Sequence, residues 1–198
     1  MKNKLLLLFF LLGVFFPLSA QESEVLISTS HTSLLLSTSQ GGELKFLYYG
    51  RKLTDADVHA IVSTESGSFS AYPVYGLNCP SESALSVQHE DGNMTLQMEV
   101  IGVETTHQEK ANLTVISLKD KVYPFYVKLC YKAYQDVDVI EAWTEISHKE
   151  KKNVKLNQFA SAYLPVRKGN VWLSSLYGAW ANEARLVQEP LEPGMNCL

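Results

Sequence analysis

Hydrophobic and polar residues alternate with a period of two along most of this chain. Phe125, Val127, Leu129, Tyr131 and Ala133 fall on one side of an extended segment, with Tyr126, Lys128, Cys130, Lys132 and Tyr134 on the other. Ile140, Ala142, Thr144 and Ile146 repeat the pattern opposite Glu141, Trp143, Glu145 and Ser147. One apolar and one mixed face suit antiparallel strands in a packed sheet, because successive side chains point to opposite sides of the pleat. The short link at Gln135-Asp136 predicts that these two strands form a hairpin. A second hairpin is predicted where Leu85, Val87 and His89 lead into Asp91-Gly92 and Leu96, Met98 and Val100 lead out, since Asp-Gly tolerates positive φ. Beyond Val100 the apolar parity shifts to Ile101 and Val103 beside Gly102, which reads as a β-bulge.

Further strands are expected at 24–28, 32–38, 43–49, 113–118, 154–163 and 171–176. Residues 55–62 read either as a short helix capped by Thr54 or as another strand, and the pattern leaves both open. The segment 64–70 is the most loop-like stretch. About ten strands separated by polar turns predict an all-β fold, a two-layer antiparallel β-sandwich. The sandwich is expected to be incomplete at its C-terminus. Pro190, Pro193 and Gly194 read as mid-domain turn chemistry, and Leu198 ends the sequence soon afterwards.

The first twenty residues stand apart from this pattern. Lys2 and Lys4 precede an apolar run from Leu5 to Phe16, followed by Pro17 and the small-residue stretch Leu18-Ser19-Ala20. That is the layout of a secretory signal peptide. The run is short of the roughly 20 apolar residues that a membrane-spanning helix needs. Residues 1–20 are therefore expected to be removed and 21–198 to form one domain. The mature chain is then exported, periplasmic or extracellular, with no membrane partner after cleavage.

The full sequence carries a net charge of −4, and losing Lys2 and Lys4 takes the mature chain to about −6. Such a surface does not attract phosphates, so nucleic acid is excluded as a partner. The three cysteines are widely separated. Cys130 lies in a predicted strand and Cys79 in a loop; buried free thiols are favoured over a Cys79–Cys130 bridge, and Cys197 sits next to the last residue. No Cys-x-x-Cys, Gly-x-Ser-x-Gly or His-Glu-x-x-His motif occurs, so no metal, cofactor or catalytic residue is assigned. The five scattered histidines read as surface or half-buried residues, and Asp55-x-Asp57 and Asp136-x-Asp138 as turn carboxylates.

The most unusual stretch is Leu176-Tyr177-Gly178-Ala179-Trp180-Ala181-Asn182-Glu183. An aromatic among small residues just after a strand can present an indole at a loop tip, where its face stacks on a sugar ring. By composition alone, a core Trp closing one end of the sandwich is the favoured alternative.

Several motifs occur here in the same order as in the N-terminal domain of family 36 glycoside hydrolases, the α-galactosidases. They are Leu47-Tyr48-Tyr49-Gly50, Tyr72-Pro73-Val74-Tyr75-Gly76 and Ala84-Leu85 through His89-Glu90-Asp91-Gly92. Tyr131-Lys132-Ala133-Tyr134 with Asp138-Val139-Ile140 and Ala160-Ser161-Ala162 follow, then Leu176 to Trp180 with Glu183, and Pro190 to Gly194. The chain thus resembles that family over residues 24–194. The resemblance implies a sandwich of the supersandwich type that packs on a (β/α)₈ barrel. It implies retaining hydrolysis of terminal α-galactosides by two barrel aspartates, carboxylates that retention sets about 5–5.5 Å apart. The chain is expected to end before such a barrel, so its α-galactoside partner would be met through the barrel. The resemblance also makes Trp180 a substrate-binding residue. A homo-oligomer is left open, because the loop that tetrameric relatives insert into a neighbour is short here. Two other readings remain: a free-standing exported carbohydrate-binding sandwich, and an inactive remnant of a disrupted gene.

The coincidence of charge, apolar run and small residues predicts cleavage between Ala20 and Gln21. Mass spectrometry of the exported protein should find Gln21 at the N-terminus; a mature protein that keeps Met1 would refute the assignment.

Overall fold

A computed structural model of the protein describes residues 23–39, 41–64, 69–76, 82–166 and 169–191. The signal segment, Cys79, Cys197 and the Pro193-Gly194 turn lie outside the described residues. The chain divides into two compact units, one up to Tyr163 and one from Leu164 onward.

In the first unit, β1 (Ser23–Ser28), β2 (Thr32–Thr38), β3 (Leu44–Arg51) and β4 (Phe69–Ser70) form an antiparallel sheet in that order. After β5 (Leu85–Gln88), a second antiparallel sheet contains β6 (Met98–His107), β7 (Ala111–Asp120), β8 (Phe125–Tyr134) and β9 (Val139–His148), also in chain order. The short strand β10 (Lys155–Phe159) pairs with β5. The fold is the all-β sandwich that the alternation predicts. Val25 and Ile27 of β1, Leu34 and Leu36 of β2, and Leu44 and Phe46 of β3 share one buried cluster with the alternating face of β8. Burying one such side chain stabilises by roughly 1.5–3 kcal/mol, so parity along each strand decides which face turns inward.

Leu34-Leu35-Leu36 breaks the alternation for a definable reason. Leu34 and Leu36 face the sandwich core, whereas Leu35 meets Leu47 and Val58 in a second cluster on the opposite face. Val58 belongs to α1 (Asp55–Thr64), so a helix covers that side of the sheet and both faces of β2 are buried. The segment from residue 55 is thus a helix and not a strand. A reciprocal cap selects it: Thr54 Oγ1 accepts from the Asp57 N–H at 3.3 Å, and Asp57 Oδ2 accepts from the Thr54 N–H at 2.9 Å. Two backbone donors that the helix leaves unpaired are satisfied this way.

One predicted hairpin is overturned. The Asp91-Gly92 turn forms, with Gly92 at φ 88° and its N–H donating to the His89 carbonyl at 2.9 Å. The segments on either side of it, however, do not pair with each other. β5 pairs with β10, and β6 pairs with β7. Leu96 instead bridges to Gly76 in parallel, and its N–H donates to the Tyr75 carbonyl at 3.0 Å. A tight turn fixes local chain reversal, but a four-residue strand takes whichever partner buries it. The β8–β9 hairpin and the bulge between Val100 and Gly102 stand as predicted. The loop-like segment before Ser70 ends in β4, which the sequence did not signal.

Two aspartates join the strand ends. Asp138, at φ 54° in the β8–β9 turn, accepts through Oδ1 from the Thr29 hydroxyl and from the His31 N–H at 3.2 Å. Its Oδ2 accepts from Thr32 Oγ1 at 3.2 Å, so this turn is tied to the β1–β2 turn. Asp120 is buried at the end of β7 and accepts from the N–H groups of Gln97 at 2.6 Å and of Val122 and Tyr123 at 2.8 Å.

Replacing Asp120 with Ala leaves three donors without an acceptor. At about 1 kcal/mol each, this should lower unfolding free energy by about 3 kcal/mol in denaturant titration. A loss below about 1 kcal/mol would show that solvent replaces the carboxylate. For Asp138, hydrogen bonding from Thr29 chiefly, then from His31 and Thr32, holds the carboxyl below its ordinary value. The stability it adds is complete above about pH 4 and fades as pH falls through the lowered folded pKa. Asp138→Asn should therefore flatten the acid limb of the melting temperature against pH; an unchanged acid limb would contradict this.

Candidate functional site at a hairpin tip

The second unit is built on a two-stranded hairpin, β11 (Trp172–Ala179) paired antiparallel with β12 (Asn182–Pro190). Its register runs from Trp172 opposite Pro190 to Tyr177 opposite Arg185, then slips before Ala179 opposite Asn182. Gly178 therefore faces two residues, Glu183 and Ala184, in a β-bulge. Ala184 has φ 58° and Ala181, in the turn, has φ 57°.

These two features set where Trp180 goes. It occupies the tip between the paired Ala179 and Asn182, and its side chain is 97% exposed. A Cβ placed on Gly178 would meet nothing within 4 Å, so the approach to the tip is open. Around it stand Asn182 and Glu183, whose amide and carboxylate can exchange hydrogen bonds with hydroxyl groups. The flanking hairpin is apolar and exposed: Trp172, Leu176 and Leu186 share one face, and Leu176 is 70% exposed. Gln188 Nε2 donates to Ser174 Oγ at 3.0 Å across the same face. An isolated two-stranded ribbon with this surface is marginal in water.

The first unit offers no competing reactive centre among its described residues. His89 follows the parity of Leu85 and Val87 to the inside and is fully buried, a correction to its reading as a surface or half-buried residue. Its Nδ1 lies 2.8 Å from Glu150 Oε1, and its ring stacks on Tyr123 at 3.7 Å between centroids. Glu150 Oε2 also accepts from the Glu90 N–H at 3.4 Å, and Glu90 Oε2 from the Lys152 N–H at 3.0 Å. The arrangement holds three turns together. His89 Nε2 is buried without a hydrogen-bond partner. An open concavity of about 600 Å³ beside it is lined by polar side chains, among them Gln88, Lys152 and Lys155.

Cys130 is a buried free thiol. Burial first, and the Glu145 carboxylate second, push its pKa up, which keeps it in the unreactive thiol form. Tyr131 is pushed up to about 12, by burial above all. Asp57 and Asp138 serve the helix cap and the turn clamp, and among the described residues no three His, Cys, Asp or Glu side chains are placed to hold a metal ion.

Comparison with known proteins sharpens the picture. No curated protein matches the sequence. Among solved structures, α-galactosidase AgaA from Geobacillus stearothermophilus, bound to 1-deoxygalactonojirimycin, superposes with a TM-score of 0.78 at 20% identity over 87% of this chain. The α-galactosidase from Lactobacillus brevis gives 0.77 at 20% identity over 90% of the chain. AgaB from Geobacillus stearothermophilus gives 0.75 at 22% over 88%. At such identities the likeness is one of fold, and the chain spans 28% of the length of each of these enzymes. The family model of the glycosyl hydrolase family 36 N-terminal domain matches residues 42–198, from the start of β3 through both strands of the hairpin. By that match the chain belongs to the N-terminal domain family of glycosyl hydrolase family 36.

Proposed function

We propose that this chain is the non-catalytic N-terminal domain of an exported α-galactosidase-like enzyme, where it supports the catalytic part and borders its active site. The observation that carries the reading is the indole of Trp180, 97% exposed at the tip of a hairpin inside the region matched to the family. An exposed indole gains nothing from the core of this chain, and its face suits the apolar C–H side of a sugar ring. Residues 1–20 act as the export signal, and the mature domain works in the periplasm or outside the cell.

Retaining glycoside hydrolysis needs two carboxylates about 5–5.5 Å apart across the scissile bond. This chain contributes none of them. Among the described carboxylates, Asp57, Asp138 and Glu150 are committed to the helix cap, the turn clamp and the His89 pair. Its part in catalysis is to border the sugar site, with the chemistry supplied elsewhere in the enzyme. The galactoside-type ligands seen in the solved neighbours, such as the raffinose bound to AgaA, suggest the class of sugar.

Two measurements test this. The purified chain alone should show no turnover of a nitrophenyl α-galactoside; turnover that survives repeated purification would overturn the non-catalytic assignment. In the complete enzyme, Trp180→Ala should lower kcat/KM for raffinose by roughly ten- to hundred-fold, the loss of one stacking contact of about 1–3 kcal/mol. Because the side chain is exposed, folding stability should move by no more than about 0.5 kcal/mol. Normal kinetics with a large loss of stability would return Trp180 to a structural role.

A further inference from the structure

Positive φ is uncommon outside glycine, because Cβ then crowds the neighbouring carbonyl oxygen. Among the described residues only three non-glycine positions have it, and two of them, Ala181 and Ala184, lie within four residues of Trp180. The third, Asp138, has an evident reason, since its carboxylate ties two turns together. Neither alanine has a polar side chain that could supply such a reason. Strained backbone persists only where its surroundings impose it, and it gathers where geometry matters for function.

Seven cross-strand partner positions between β11 and β12 impose it here. The register slip between Tyr177 and Ala179 forces an extra residue into β12, which Ala184 takes up. The turn that joins Ala179 to Asn182 then has one residue besides Trp180, and this is Ala181. Both strained alanines therefore lie on the backbone that leads out of the tip, Ala181 directly after the indole and Ala184 at the bulge that shapes the returning strand. Glycine would accept these angles without strain, but would also open many other conformations to the tip. A methyl group narrows that choice.

We propose that Ala181 and Ala184 are positioning residues, whose left-handed backbone fixes the direction in which the hairpin presents Trp180 to its ligand. The proposal rests on the reading of Trp180 as a sugar contact for its purpose, but not for its geometry. Valine is β-branched and excludes the left-handed region, whereas asparagine tolerates it. Ala181→Val and Ala184→Val should thus redirect or loosen the tip, and Ala181→Asn and Ala184→Asn should restore it.

Two readouts separate the parts of the argument. In the isotope-labelled chain, a strong intraresidue HN–Hα cross-peak marks positive φ at residues 181 and 184, and the ¹H–¹⁵N NOE of the Trp180 indole reports its order. The wild type and the asparagine variants should show the cross-peaks and an ordered indole, and the valine variants should lose both. Weak cross-peaks in the wild type, or an indole equally ordered in every variant, would overturn the proposal. In the complete enzyme, the valine variants should raise KM for raffinose about ten-fold while the sandwich melts as before, a misplacement effect within the range that small displacements cause. If the NMR pattern holds and KM does not move, positioning stands and the sugar-binding reading of Trp180 falls.

Discussion

A single apolar layer lies between the two four-stranded sheets, and the arrangement of the first unit follows from filling it. β8 contributes Phe125, Val127, Leu129, Tyr131 and Ala133, all buried, from the interior of its sheet. β1, β2 and β3 contribute the opposing residues. A shift of one residue in any of these strands would exchange its inner and outer faces, so register and burial fix each other. The polar devices are placed where that layer ends. Asp138 ties a turn of one sheet to a turn of the other, Asp120 gathers three N–H groups at the end of β7, and His89 with Glu150 locks the turns beside β5 and β10. Asp120 could not be left buried without these partners at reasonable cost.

The second unit follows a different logic. Its hairpin is held by cross-strand pairing and leaves Trp172, Leu176, Trp180 and Leu186 exposed. The solved neighbours that share the fold are longer than this chain by more than three-fold. Within this chain, buried packing concentrates in the sandwich and exposed apolar side chains concentrate on the hairpin.

Legibility in the sequence varied with the range of the interaction. β8 and β9 could be read because alternation is a local consequence of the pleat, and the Gly102 bulge because parity visibly changes there. The pairing of β5 with β10 could not be read. Some seventy residues separate these strands, and no local pattern names a distant partner. His89 carried a usable signal, since it continues the inward parity of Leu85 and Val87, yet nothing marks Glu150 as its partner. The Thr54 cap was visible, although helix and strand stayed balanced until the need to cover Leu35 and Leu47 decided the matter. Trp180 was singled out by its setting among small residues and by resemblance to the family. The left-handed conformations of Ala181 and Ala184 left no trace in the sequence, because alanine, unlike glycine or asparagine, is no signal for that region of backbone.

Native-state hydrogen exchange tests most directly the claim that one buried layer supports the domain while the hairpin depends on its surroundings. Amides of β7 and β8 should exchange only through global unfolding, with the slowest rates in the chain. Amides of β11 and β12 should exchange through local opening, at rates higher by orders of magnitude and insensitive to low denaturant. Equal protection of β12 and β8, with the same dependence on denaturant, would contradict the account and make the hairpin part of the same cooperative core.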